Sequence, residues 1–114
     1  MYHDKIQSVM DAVDACQELQ TFTAGQTLES YKTDRLRRLA IERLFEILGE
    51  ALNRVEDTDP SFRDHLPEMG KVIGMRNRLA HGYDRVNHSL VWDTVQDFVP
   101  DLQSKLTAWL EKNG

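Results

Sequence analysis

The run TDRLRRLAIERLFEILGEALNRV, residues 33–55, repeats apolar side chains at Leu36, Ala40, Leu44, Ile47, Ala51 and Val55, with Leu39, Leu48 and Leu52 widening the apolar face. Steps of three and four residues are the period of one face of an α-helix. Thr33, followed by Asp34, is the expected N-cap. Gly49 stands in the middle of this run and lowers helix propensity, which points to another helix approaching closely there. Asp34 with Arg38 and Arg38 with Glu42 are spaced as four-residue charge pairs and read as solvated surface.

The flanking sequence repeats the pattern. Ile6, Val9, Met10, Val13, Cys16 and Leu19 give an amphipathic helix over 4–19. Residues 21–30 are polar, contain Gly25 and read as a connection with a short helical turn before Tyr31. Pro60 and Pro67 break the period in 57–67, with a short helical turn expected at 61–65. Pro67 is expected to open a third helix at its first position, with Val72, Ile73, Met75, Leu79 and Ala80 as apolar positions and Gly82 as its end. Val91, Val95, Phe98, Leu102, Leu106 and Trp109 continue helical spacing over 89–110, where Pro100 removes a backbone donor and should kink or split the segment. No alternating strand pattern is present. The expected fold is one all-α domain over 1–114, an up-down bundle of four to five helices.

Composition narrows the function. The chain has 114 residues, 40% hydrophobic and 29% charged, enough for a single domain with a core. Its lone cysteine, Cys16, excludes an internal disulfide and reads as a small core residue. No run approaches the length of a membrane span, and residues 1–10 mix acid and base, unlike a signal peptide. The expectation is therefore a cytoplasmic protein with no membrane association. A net charge of −5 argues against broad coating of nucleic acid, so any such contact must be local. Basic residues do cluster, at Arg35, Arg37, Arg38 and Arg43 and again at Lys71, Arg76 and Arg78.

The chemistry concentrates in Arg76-Asn77-Arg78-Leu79-Ala80-His81-Gly82-Tyr83. An arginine holds a phosphate through forked N–H donors, and an imidazole exchanges protons near neutral pH. On a helix Asn77 and His81 share a face, while Arg76 lies about 100° round from Asn77, a gap that arginine's length can close. Arg78 points elsewhere and is a candidate for substrate binding or for a structural ion pair, with Lys71 as a further candidate RNA contact. The ordinary reading of such a helix end is surface arginines, a histidine favoured by the helix dipole and a tyrosine anchoring a loop.

Other signals carry no chemistry. Asp57-Thr58-Asp59 lacks the glycine-serine context of a nucleotidyltransferase and reads as a loop. His3, His65 and His88 show no ligand spacing with each other or with Cys16, so no metal is expected. No phosphate-binding or dinucleotide-binding glycine motif occurs, and no cofactor is expected.

The chain resembles the HepT-like branch of the HEPN domains over most of its length. The resemblance is carried by the R-x4-H-x-Y arrangement of Arg76, His81 and Tyr83, with polar Asn77 after the arginine. It extends to Ala40-Ile41-Glu42-Arg43, to Glu46-Ile47-Leu48-Gly49-Glu50-Ala51, to Gly74-Met75 and to Val91-Trp92. The family often has an aromatic residue after the proline that precedes the motif; Leu66-Pro67-Glu68-Met69 has none. The resemblance implies a HEPN-like helical homodimer whose paired Arg76 and His81 meet in a cleft, with Asn77 supporting the geometry. It further implies a ribonuclease toxin of a toxin-antitoxin system, cutting RNA without metal. The implied partner is a cognate minimal nucleotidyltransferase antitoxin that transfers AMP to Tyr83. Two rival readings are a non-catalytic helical partner that binds substrate or docks for such a nucleotidyltransferase, and an RNA-binding domain that no longer cuts. The resemblance leaves Glu50 without a role.

Overall fold

The computed structural model describes residues 2–81 and 86–114, with side chains described from Asp4 onward. Among these residues there are helices and no strands. The helices are α1 (Tyr2–Thr23), α2 (Leu28–Thr33), α3 (Arg35–Thr58), a 3-10 turn (Pro60–His65), α4 (Glu68–His81), α5 (His88–Asp97) and α6 (Val99–Asn113). Five of the α-helices have ten or more residues, α2 being a six-residue connector. No helix among the described residues is long and apolar enough to cross a membrane.

Each boundary has a local cause. Gly25, at φ 73°, takes the left-handed conformation that closes the turn after α1. Thr27 and Ser30 exchange side-chain and backbone hydrogen bonds as a capping box at the start of α2. Thr33 was the expected N-cap of α3, but its hydroxyl donates back to the Glu29 carbonyl (3.2 Å) and closes α2 instead. Asp34 takes the cap, accepting from the Arg37 backbone N–H at 3.0 Å. Asp59 ends α3 and caps the 3-10 turn through Ser61, so Asp57 and Thr58 belong to the helix and only Asp59 to the turn. Pro67 lies one residue ahead of α4 rather than at its first position. Pro100 falls in the first turn of α6 and separates it from α5, where its missing donor costs nothing. The expected end of α4 at Gly82 lies outside the described residues.

α3 is the axis of the bundle. α1 and α4 pack against it, and α6 packs against α1 and α4. Arg37 near the start of α3 donates to the Phe22 carbonyl at the end of α1 (2.7 Å), while Arg54 near its end reaches Ser8 and Asp11 (3.3 and 3.4 Å). The two helices therefore run antiparallel. Lys5 ties the same end shut, 2.8 Å from Asp59 and over the rings of Phe62 and Trp109.

The core keeps most of the α3 face expected from the sequence, Leu44, Leu48, Ala51, Leu52 and Val55, but shifts it to take in Ile41 and Phe45 and leaves out Leu36. Ile41, Leu44, Phe45, Leu48, Ala51, Leu52 and Val55 are buried, whereas Ala40 and Ile47 are half-buried and Leu36 is 82% exposed. The apolar residues of this helix span more than one face, and the arc holding Phe45 wins because α1 and α4 flank it. Glu42 was read as solvated and is buried instead. Cys16 is a core residue; burial pushes its thiol up to about 12 and leaves it unreactive.

Candidate functional site

Met69, Val72, Ile73, Met75 and Leu79 form the buried side of α4. Arg76 stands three and four residues after Ile73 and Val72 and three before Leu79, so it occupies a core-facing position. A side chain there runs into the backbone of α3, and Gly49 makes the room. A Cβ built on Gly49 would lie 2.4 Å from Cγ, 2.6 Å from Cβ and 3.2 Å from Cδ of Arg76. The expected close approach at Gly49 is this crossing.

The arginine stem thus lies across α3 with its guanidinium at the surface. Nη1 donates to Oδ1 of Asn77 at 3.2 Å, so arginine's length does close the gap between neighbouring residues. Nη2 lies 3.7 Å from Oε1 of Glu50, while Nε is buried with no hydrogen-bond partner. Glu50, left without a role in the sequence, is the acidic neighbour of the motif arginine.

His81 is the last residue of α4 and is exposed. Beside it opens a groove of about 360 Å³ lined by Met75, Leu79, Val86, Leu90 and Val91, with Arg78 and Asn87 at its polar edge. His81 and Arg76 are five positions apart, about 140° round the helix. Among the described residues no hydrogen bond or ion pair joins them. Arg76 lies across α3 beside Glu50, His81 and Arg78 line the groove toward α5, and Asn77, on the His81 side of the helix, is reached by the Arg76 guanidinium. Lys71 and Arg78, seven residues apart, share a face about 10 Å apart along the axis; both are exposed and neither has an ion pair among the described residues. Tyr83 lies outside the described residues.

A second polar cluster sits between α2, α3 and α5. The ring of buried Tyr31 meets His88 edge-on (6.1 Å, 80°) and Trp92 at 5.6 Å. Burial chiefly, then the Arg38 and Lys32 charges, holds His88 below the usual histidine range. Burial raises Glu42, with Arg38 opposing and Glu46 adding. Arg38 in turn donates to the Lys32 carbonyl.

The fold and the site define an all-α helical bundle in which an arginine of α4 crosses α3 and a histidine ends α4. The chain belongs to the family described as Ribonuclease HepT-like, which matches residues 12–108. It is similar to a Thermococcus cleftensis protein named "Probable ribonuclease HepT", 27% identical over 91% of each chain. Two proteins named "Putative RNase" are also similar. The one from Caldanaerobacter subterraneus subsp. tengcongensis is 29% identical over 85% of this chain and 86% of its own. The other, from Methanocaldococcus jannaschii, is 24% identical over 83% of this chain and 78% of its own. No solved structure matches the chain.

Proposed function

We propose that this chain is the toxin of a type II toxin-antitoxin system, an endoribonuclease that works as a homodimer without a metal ion. The observation that carries the reading is Arg76: a cation given a core-facing position, seated over a glycine, with its donor nitrogens delivered to the surface next to Asn77. A solvated surface charge would need none of this. Membership of the HepT-like ribonuclease family supplies the substrate class.

In the proposed reaction the ribose 2′-oxygen attacks phosphorus, the bond to the 5′-oxygen breaks, and the products are a 2′,3′-cyclic phosphate and a 5′-hydroxyl. His81 takes the proton of the attacking hydroxyl or returns one to the leaving oxygen, a role worth roughly 10²–10⁴-fold. Arg76 donates to the non-bridging oxygens as negative charge builds on them. Asn77 holds the guanidinium. Because Arg76 and His81 diverge by about 140° on one helix, two protomers facing each other offer one phosphate both groups more readily than a single chain does. Lys71 and Arg78 supply backbone contacts along the RNA. DNA, lacking the attacking hydroxyl, resists.

In this reading the cognate minimal nucleotidyltransferase antitoxin transfers the AMP moiety of ATP to the Tyr83 hydroxyl, which loses its proton as pyrophosphate leaves. The added phosphate places negative charge two residues from His81 and repels the RNA backbone.

The test is incubation of antitoxin-free protein with defined RNAs in EDTA, alongside Arg76→Ala and His81→Ala, with mass spectrometry of the product ends. Cyclic-phosphate ends that vanish in both variants support the proposal. Intact RNA with unmodified Tyr83 favours a non-catalytic partner. For the dimer, mixing in His81→Ala chains should depress activity more than dilution does; strict proportionality to the wild-type fraction would count against a shared site.

A further inference from the structure

We propose that Gly49 and Glu50 of α3 are positioning residues for Arg76, so that the site spans two helices rather than residing in the α4 motif alone. The inference rests on the ribonuclease reading for its functional half and on packing for the rest.

Arg76 cannot point where it does over any residue but glycine. The three atoms nearest to a Cβ at Gly49 are all in the Arg76 side chain, two of them Cβ and Cγ. Cβ is fixed by the α4 backbone and Cγ lies one torsion from it, so the clash cannot be relieved by swinging only the flexible end of the arginine. An alanine at 49 must push α4 away from α3, because a new Arg76 rotamer would move Cγ but not the Cβ contact at 2.6 Å. That displacement moves the guanidinium by more than the tolerance of a phosphate contact.

Glu50 then sets the rotation of the same group. Its carboxylate lies 3.7 Å from Nη2, and Asn77 accepts from Nη1 on the other side. Nε is buried and unpartnered, so these two contacts are what orients the planar fork. Glu50 is itself 49% exposed, which leaves the pair open to an approaching phosphate. Glu50 touches no substrate in this arrangement; it acts through Arg76.

Two measurements test the proposal. The first is a melting cycle with Gly49→Ala in the wild-type and Arg76→Gly backgrounds. The clash should lower the melting temperature of Gly49→Ala by about 5 °C in the wild type. In Arg76→Gly the alanine should instead raise it, since the side chain in its way is gone and alanine favours helix. Equal losses in both backgrounds would overturn the Gly49 role. The second is steady-state cleavage of a defined RNA by wild type, Glu50→Gln and Arg76→Ala. Glu50→Gln should lower kcat on the order of tenfold with KM and melting temperature unchanged, as expected for a group felt only in the transition state. Wild-type kcat in Glu50→Gln, where Arg76→Ala is inactive, would overturn the Glu50 role. Equal cleavage by Arg76→Ala and wild type, or none by either, would sink the ribonuclease reading instead, and the melting cycle would then decide the positioning alone.

Discussion

Arg76 crosses α3 at Gly49, and the two residues fit because one of them has no side chain. A lysine stem would cross at the same point, but its single ammonium cannot reproduce a planar fork whose Nη1 bonds Asn77 while Nη2 lies beside Glu50. Arg76→Lys should therefore keep the melting temperature of the wild type and lose on the order of 100-fold in kcat/KM, the size seen when one transition-state donor is removed. Parallel melting and cleavage assays check this; activity within a factor of two of wild type would show that charge alone suffices.

His88 packs edge-on against Tyr31, and its imidazole is held below the usual 6.5 by burial and by Arg38 and Lys32. Glu42 and Trp92 complete its surroundings through Tyr31. The native state prefers the neutral ring, so its contribution is complete above pH 6.5 and is lost as the pH falls through 6.5 toward the lower native value. Urea unfolding of wild type and His88→Leu at pH 7.5 and 5.5 should show the wild type losing more stability between the two. An equal loss would mean that His88 does not titrate differently on folding.

Glu42 has the opposite sign. Its native carboxyl is raised above the ordinary 4.5, chiefly by burial. Its contribution is thus complete below 4.5 and lost as the pH climbs through the native value. Glu42→Gln should be more stable than wild type at pH 7, and the gain should vanish as the pH falls toward 4. Denaturant midpoints across that range read it directly, and a variant less stable at pH 7 would refute it.

Leu48 is fully buried and Leu36, on the same helix, is 82% exposed. Leu48→Ala should cost about 2–5 kcal/mol of unfolding free energy, as buried leucine truncations do. Leu36→Ser should stay within roughly 0.5 kcal/mol of wild type. Comparable losses at the two positions would mean that Leu36 is covered in solution.

The helices were legible because their causes are local. Three- and four-residue apolar spacing marked α1, α3, α4 and α6, and prolines and Gly25 marked the breaks between them. The helical turn before Tyr31, the 3-10 turn after Pro60 and the split at Pro100 were read from the same signals. Arg76, Asn77 and His81 were legible as a motif, and mid-helix Gly49 announced a close approach without naming what approaches. The arc of α3 that faces inward was misread at Leu36, and Glu42 was taken for surface. Periodicity fixes which residues share a face but not which of two overlapping apolar faces a neighbour covers.

The all-helical class, the element breaks and the family motif follow from the residue order alone, since each depends on residues within a few positions of one another. Helix packing sets the rest: Arg76 lies over Gly49 beside Glu50, His81 turns toward the α5 groove, and Glu42 and His88 are drawn in around Tyr31. Most of these relationships join residues on different helices, Gly49 and Glu50 with Arg76 and Tyr31 with His88 being 26 to 57 positions apart. They depend on how rigid helices dock against one another, and that is set by the shape of the whole core.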